Sequence, residues 1–93
     1  MVRRPDAPLN LRVLPQDTFR VLLQWDGNAP HGFNIYRGTA LSQPRFLSHV
    51  SQSPFLDRVP HPGEYYFYYI TAVDSTADFI ESAPSNLDSA RTA

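Results

Sequence analysis

The run Pro62-Gly63-Glu64-Tyr65-Tyr66-Phe67-Tyr68-Tyr69-Ile70-Thr71-Ala72-Val73-Asp74 decides the fold class. Aromatic and β-branched residues fill it, a Pro-Gly turn opens it and an aspartate closes it, which is the composition of a strand. Side chains along a strand alternate between two faces. Tyr66, Tyr68, Ile70 and Ala72 therefore share one face, and Phe67 and Tyr69 share the other. The near-apolar part, Tyr65 to Val73, is far too short to span a bilayer.

Working outward, the rest of the chain has the same texture. Nine prolines and four glycines punctuate it, and Gly27, Gly32, Gly38 and Gly63 all lie between apolar runs. No helix-period stretch of convincing length survives. The β-rich runs are 9–13, 19–25, 32–37, 45–50, 54–57, 65–73 and a weak one at 86–91. In the second, Phe19, Val21, Leu23 and Trp25 make one apolar face; in the third, Phe33 and Ile35 are the inward pair. Seven short strands separated by turns predict an antiparallel sandwich or barrel. Parallel pairing needs crossover helices, for which there is no room.

Composition narrows the function. The chain has 93 residues, one domain's worth, with 42% hydrophobic and 18% charged residues. It has no cysteine, which removes disulfides, thiolate chemistry and Cys-based zinc sites. Net charge is −1 and the eight basic residues, all arginine, are scattered. No basic stripe can neutralise several phosphates, so nucleic acid is not an expected partner. Met-Val-Arg-Arg-Pro-Asp-Ala-Pro at the start lacks the apolar stretch of a signal peptide. The expectation is a soluble chain without membrane insertion, with residues 1–6 a flexible arm and residues 7–93 the domain.

Three features carry a family resemblance. Ala7-Pro8-Leu9-Asn10-Leu11-Arg12-Val13 leads into a strand ending at Trp25; Gly32-Phe33-Asn34-Ile35-Tyr36-Arg37-Gly38 follows; and the Pro62–Asp74 run is closed by Glu81-Ser82-Ala83-Pro84-Ser85-Asn86. From about residue 7 to about residue 91 this resembles a fibronectin type III domain of the bacterial and phage kind. The resemblance implies an all-β, seven-stranded antiparallel, immunoglobulin-like sandwich. Trp25 would fill its centre against Ile35 and Ile70. Tyr66 would be the tyrosine corner, bonding backbone in the preceding connection. The family's leucine six residues before that tyrosine is here Pro60, and Val59 is the substitute.

A search for chemistry returns little. His31, His49 and His61 are scattered without ligand spacing, and Asp17, Asp26, Asp74 and Asp78 lack the spacing of a calcium loop. No nucleophile elbow, phosphate loop or dinucleotide fingerprint is present. No catalytic residue, metal or cofactor is expected, and the domain is read as no enzyme. Two features remain. Under the resemblance the third and sixth strands pair, so Tyr36, Phe67 and Tyr69 would share one exposed sheet face, a pattern typical of interfaces. The loop 75–81 carries Phe79 and Ile80, an apolar pair that needs something to pack on.

These five residues are the candidate partner-binding set. The leading expectation is a structural or docking module in a larger assembly with protein partners, most simply a phage virion accessory of head, tail or fibre, cytoplasmic until assembly. The alternative is an accessory or spacer domain excised from a secreted bacterial carbohydrate-active enzyme or adhesin, extracellular and weakly glycan-binding. Tyr36, Phe67 and Tyr69 would then stack on sugar rings.

Overall fold

The computed structural model describes residues 6–29, 31–74 and 80–92. Its elements are all strands: β1 (Leu9–Pro15), β2 (Arg20–Asp26), β3 (Phe33–Thr39), β4 (Ser42–Val50), β5 (Phe55–Arg58), β6 (Tyr65–Asp74), β7 (Ile80–Glu81) and β8 (Asp88–Arg91). They form two antiparallel sheets. The smaller is β1-β2-β5; the larger is β4-β3-β6, with β7 and β8 both on the far side of β6.

All seven expected strands are present. The eighth arises because the last strand is split. Between β7 and β8, Ser82 and Ser85 take over the ladder: their backbone N–H groups donate to Ala72 and Ile70 carbonyls (2.8 Å each), and their hydroxyls accept from the Ala72 and Ile70 N–H groups (2.9 Å each). Pro84 has no N–H to give. The two serines thus keep β6 hydrogen-bonded through a stretch that cannot itself be a strand.

The inward faces are those the alternation indicates. Val21, Leu23, Trp25, Phe33, Ile35, Tyr66, Tyr68, Ile70 and Ala72 are buried in one cluster. Trp25 meets Phe33 edge to face, at 5.4 Å between centroids. Val59, 1% exposed, does the work expected of the missing leucine. The Tyr66 hydroxyl donates to the His61 carbonyl (3.2 Å) and accepts from the His61 N–H (3.1 Å), which locks the corner. The turn before it uses Gly63 at φ +79°, a conformation natural to glycine.

Two positions depart from simple alternation. Leu9 is 64% exposed although its parity matches Leu11 and Val13. Asn10 adopts φ +56° at a bulge, which turns Leu9 out of the core. Phe19 is 40% exposed, because β2 begins at Arg20 and the buried face starts only at Val21.

The open sides of the sandwich are both stapled by polar side chains. On one side Asn86 accepts the Leu11 N–H (2.9 Å) and donates to the Leu11 carbonyl (3.2 Å), while Asp88 accepts the Val13 N–H (2.9 Å). These bonds use up backbone groups along β1, an edge otherwise open to strand addition. On the other side Asp57 of β5 accepts from Arg37 of β3 (3.0 and 3.2 Å) and from the Tyr68 hydroxyl (2.6 Å). Asp57 is buried, and burial together with the Asp57 bond pushes the Tyr68 hydroxyl pKa strongly upward.

Candidate functional site

The pairing of β3 with β6 places Tyr36 opposite Tyr69 and Gly38 opposite Phe67. Tyr36 and Tyr69 stack, with centroids 4.7 Å apart and planes 14° apart. On the other flank of Tyr36 stands Phe46 of β4, at 6.0 Å and 81°. The outer face of the large sheet therefore carries an aromatic row, Phe46–Tyr36–Tyr69, across three neighbouring strands. Such pairs each contribute about 0.5–1.5 kcal/mol beyond their buried area.

Phe46 joins this row through a bulge. Ile35 pairs with Ser48, but the next residue, Tyr36, pairs with Phe46, so Leu47 is the extra residue. Leu47 packs against the core and Phe46, 59% exposed, faces out. Close approach of β4 also explains Gly38: a Cβ there would lie 2.6 Å from the Pro44 backbone nitrogen.

Beside the aromatic row lies a polar one. Glu81 Oε1 accepts from Thr71 Oγ1 (2.6 Å), the Tyr36 hydroxyl (2.6 Å) and Asn34 Nδ2 (3.0 Å). Asn34 Oδ1 in turn lies 2.7 Å from His49 Nδ1. Partial burial pushes the Glu81 pKa up, but the bonds from Thr71, Tyr36 and Asn34 together outweigh it and hold the carboxyl below its usual range. Burial, reinforced by the Glu81 carboxylate, raises the Tyr36 hydroxyl to about 12. Tyr36 is thus fixed at its ring by two aromatics and at its hydroxyl by an anion.

Of the five residues singled out in the sequence, the structure brings Tyr36 and Tyr69 into contact. Phe67 is on the same face, half-buried, one step along β6 toward β8. Ile80 opens β7, paired with Asp74 and half-buried. Phe79 lies outside the described residues. Phe46 and Glu81 belong to the surface but were not singled out. The signal for Glu81 is the polar partner set Asn34, Tyr36 and Thr71 on adjacent strands; Phe46 depends on a bulge that no local residue announces.

Among the described residues the face offers hydrogen bonds and ring contacts. Among the described residues no three His, Cys, Asp or Glu side chains converge to hold a metal.

The two-layer topology, the corner Tyr66 bonded to His61 and the buried Trp25 together decide the architecture. The fold is that of a fibronectin type III domain. Solved structures agree with this. A fibronectin type III-like protein from Clostridium thermocellum matches with a TM-score of 0.80 at 16% identity, covering 98% of this chain and 96% of that one. The fibronectin type III domain of a human protein matches at 0.79 and 13% identity, covering 99% and 89%. A β-1,2-glucanase from Parabacteroides distasonis matches at 0.83 and 22% identity; 99% of this chain is covered but only 13% of that one. Fibronectin type III-like units thus occur within larger proteins. No family model and no curated protein matches the sequence.

Proposed function

We propose that this fibronectin type III-like domain is a non-catalytic docking module of a larger assembly, a virion accessory of a phage head, tail or fibre, and that it engages a protein partner through the aromatic face of its large sheet. The observation that carries the reading is the fixed row Phe46–Tyr36–Tyr69, with Tyr36 held between two rings and bonded to Glu81. Rigid aromatics with a polar tip give contact area at low entropic cost. The test is mass-spectrometric detection of the chain in particles purified from its source, comparing wild type with the double variant Tyr36→Ala/Tyr69→Ala. Retention of the wild type and loss of the folded variant is expected. Equal retention of both would remove this face from the contact.

The glucanase likeness favours a second reading, an accessory domain that stacks on sugar rings. The geometry constrains it. Tyr36 is stacked on Tyr69 and flanked by Phe46, so Phe46, Phe67 and Tyr69 are the rings left for a sugar. A glycan array on which Phe46→Ala abolishes binding, with Tyr36→Phe unaffected, would move the assignment to this class.

A further inference from the structure

The aromatic face has two oppositely charged ends. Along β6, Tyr69 stands midway between Tyr65, which pairs with Arg91 of β8, and Val73, which pairs with Glu81 of β7. β7 and β8 lie on the same flank of β6. Arg91 and Glu81 are therefore equally far from the Phe46–Tyr36–Tyr69 row, about 13 Å to either side at about 3.3 Å per residue. Arg91 is exposed. Its Nε donates to the Gly63 carbonyl (2.8 Å) and its guanidinium lies 5.8 Å from the Tyr65 ring centroid, which fixes the group and leaves its terminal amino groups without a partner among the described residues. Glu64 lines a small cleft with Arg91 but makes no ion pair with it. At the other end Glu81 holds its carboxylate on the same outer face, against Thr71, Tyr36 and Asn34.

We propose that the aromatic face is covered by the same face of a second copy, related by a two-fold axis along the row Phe46–Tyr36–Tyr69. This rests on the reading of the face as a contact surface and names its occupant. The axis lays each strand on its own mate with the direction reversed, so levels above the row meet levels below it. Phe46, Tyr36 and Tyr69 meet their own mates. Phe67 of one copy meets Thr71 of the other, and Asn34 meets Gly38, which has no side chain to obstruct it. The Arg91 end of each copy meets the Glu81 end of the other, so the attraction of opposite charges is made twice. His49, level with Asn34, also meets the uncharged Gly38 level. An isologous interface requires this self-complementarity, and among the described residues no like charges are opposed. Twisted sheets pack face to face within about 30° of alignment, which such an axis permits. Four strands at about 4.8 Å and nine residues at about 3.3 Å give a face of roughly 600 Å² per copy. That is below the ~800 Å² per partner of a standard interface, so the dimer is weak, with a Kd on the order of 10 μM.

Sedimentation velocity on the wild-type chain, over concentrations spanning that value, should show a monomer–dimer equilibrium that weakens as salt is raised. Tyr36→Ala/Tyr69→Ala and Arg91→Glu should each weaken it by about tenfold or more. Arg91→Glu should unfold at nearly the wild-type urea midpoint, because the side chain is exposed, and Leu56→Ser on the opposite face should dimerise like wild type. A mixture of Arg91→Glu with Glu81→Arg should form a heterodimer although each alone is monomeric, which a merely structural role for either residue would not produce. If Glu81→Arg does not fold, loss of the salt dependence in Arg91→Glu makes the same distinction. A wild type that stays monomeric, a dimer indifferent to Arg91→Glu, or a dimer lost on Leu56→Ser would each overturn the proposal. A monomeric chain still retained in particles through Tyr36 and Tyr69 would show that the face has a different partner, so failure here is distinguishable from failure of the docking reading.

Discussion

The two outer faces of the sandwich both expose apolar side chains, and they hold them in opposite ways. On the large sheet the central aromatic is fixed by other groups: Tyr36 by Tyr69, Phe46 and Glu81. On the small sheet Leu14, Leu22 and Leu56 share a row across three strands without a polar anchor. The rings of the first face are held in place by one another and by Glu81. An exposed hydrophobic surface can therefore be pinned by its neighbours or left unpinned, and mutation separates the two. Changes on the aromatic face should register in stability, and changes on the leucine face should leave it nearly unaltered.

The largest effect is expected where the two sheets are tied together. Asp57 comes from the small sheet and receives Arg37 and Tyr68 from the large one. Asp57→Ala would strand a guanidinium and a buried hydroxyl. Removing one partner of a buried pair costs about 3–5 kcal/mol, and the low end applies because Arg37 keeps some contact with water. Urea unfolding should show it as a lower midpoint with little change in slope. A loss below about 1 kcal/mol would mean that the faces are not coupled through this bond.

Next comes Tyr36→Ala, which removes a stack, an edge contact and a bond to Glu81. A loss of about 2 kcal/mol is expected, most of it from the charged hydrogen bond and the stacked pair. Tyr36→Phe should keep the ring part and lose only the bond. If both variants matched wild type in urea unfolding, the aromatic face would be as loosely built as the leucine face.

The same anchoring has a pH signature. Tyr36 titrates at about 12 in the folded chain against 10.0 ordinarily. The folded state thus holds its proton longer than the unfolded state does. The stability it lends is fully present below pH 10 and is lost as pH rises through 12. Tyr68 is shifted the same way and adds to the alkaline loss. Glu81 works at the other end: its pKa is held below the ordinary 4.5, so its contribution is present above that value and disappears as pH falls through the folded pKa. Melting temperature followed by circular dichroism should fall at both extremes. Tyr36→Phe should flatten part of the alkaline limb. An unchanged alkaline limb would show that Tyr68 alone causes it.

How legible each face was follows from what holds it. The core was legible because it rests on period-2 alternation: Val21, Leu23, Trp25 and Tyr66, Tyr68, Ile70 are buried as their parity requires. Tyr36 beside Tyr69 was legible too, since pairing of β3 with β6 plus parity brings them together. Phe46 was not, because a bulge at Leu47 reverses parity within β4. Leu9 escaped the same way, through the bulge at Asn10. The leucine row was hidden for another reason. Its members sit on three strands at 14, 22 and 56, and only the register between strands aligns them. Alternation marked Leu22 as outward without showing that its neighbours on both sides were leucines. The staples at Asn86, Asp88 and Asp57 are long-range side-chain bonds, and no spacing along the chain encodes them.

The smallest expected effect is the most discriminating. Leu56→Ser on the small sheet should change stability by no more than about 0.5 kcal/mol, the usual range for exposed positions. Leu56 is 50% exposed; Val59 belongs to the core cluster and Phe55 packs against it, but Leu56 does neither. Serine keeps the strand position and removes only outward apolar surface. The variant should be, if anything, more soluble at high concentration. A loss of more than about 1 kcal/mol would mean that the leucine row stabilises the small sheet as the aromatic row stabilises the large one. The contrast between a pinned face and an unpinned one would then collapse, and Leu14, Leu22 and Leu56 would be an exposed rim of the core.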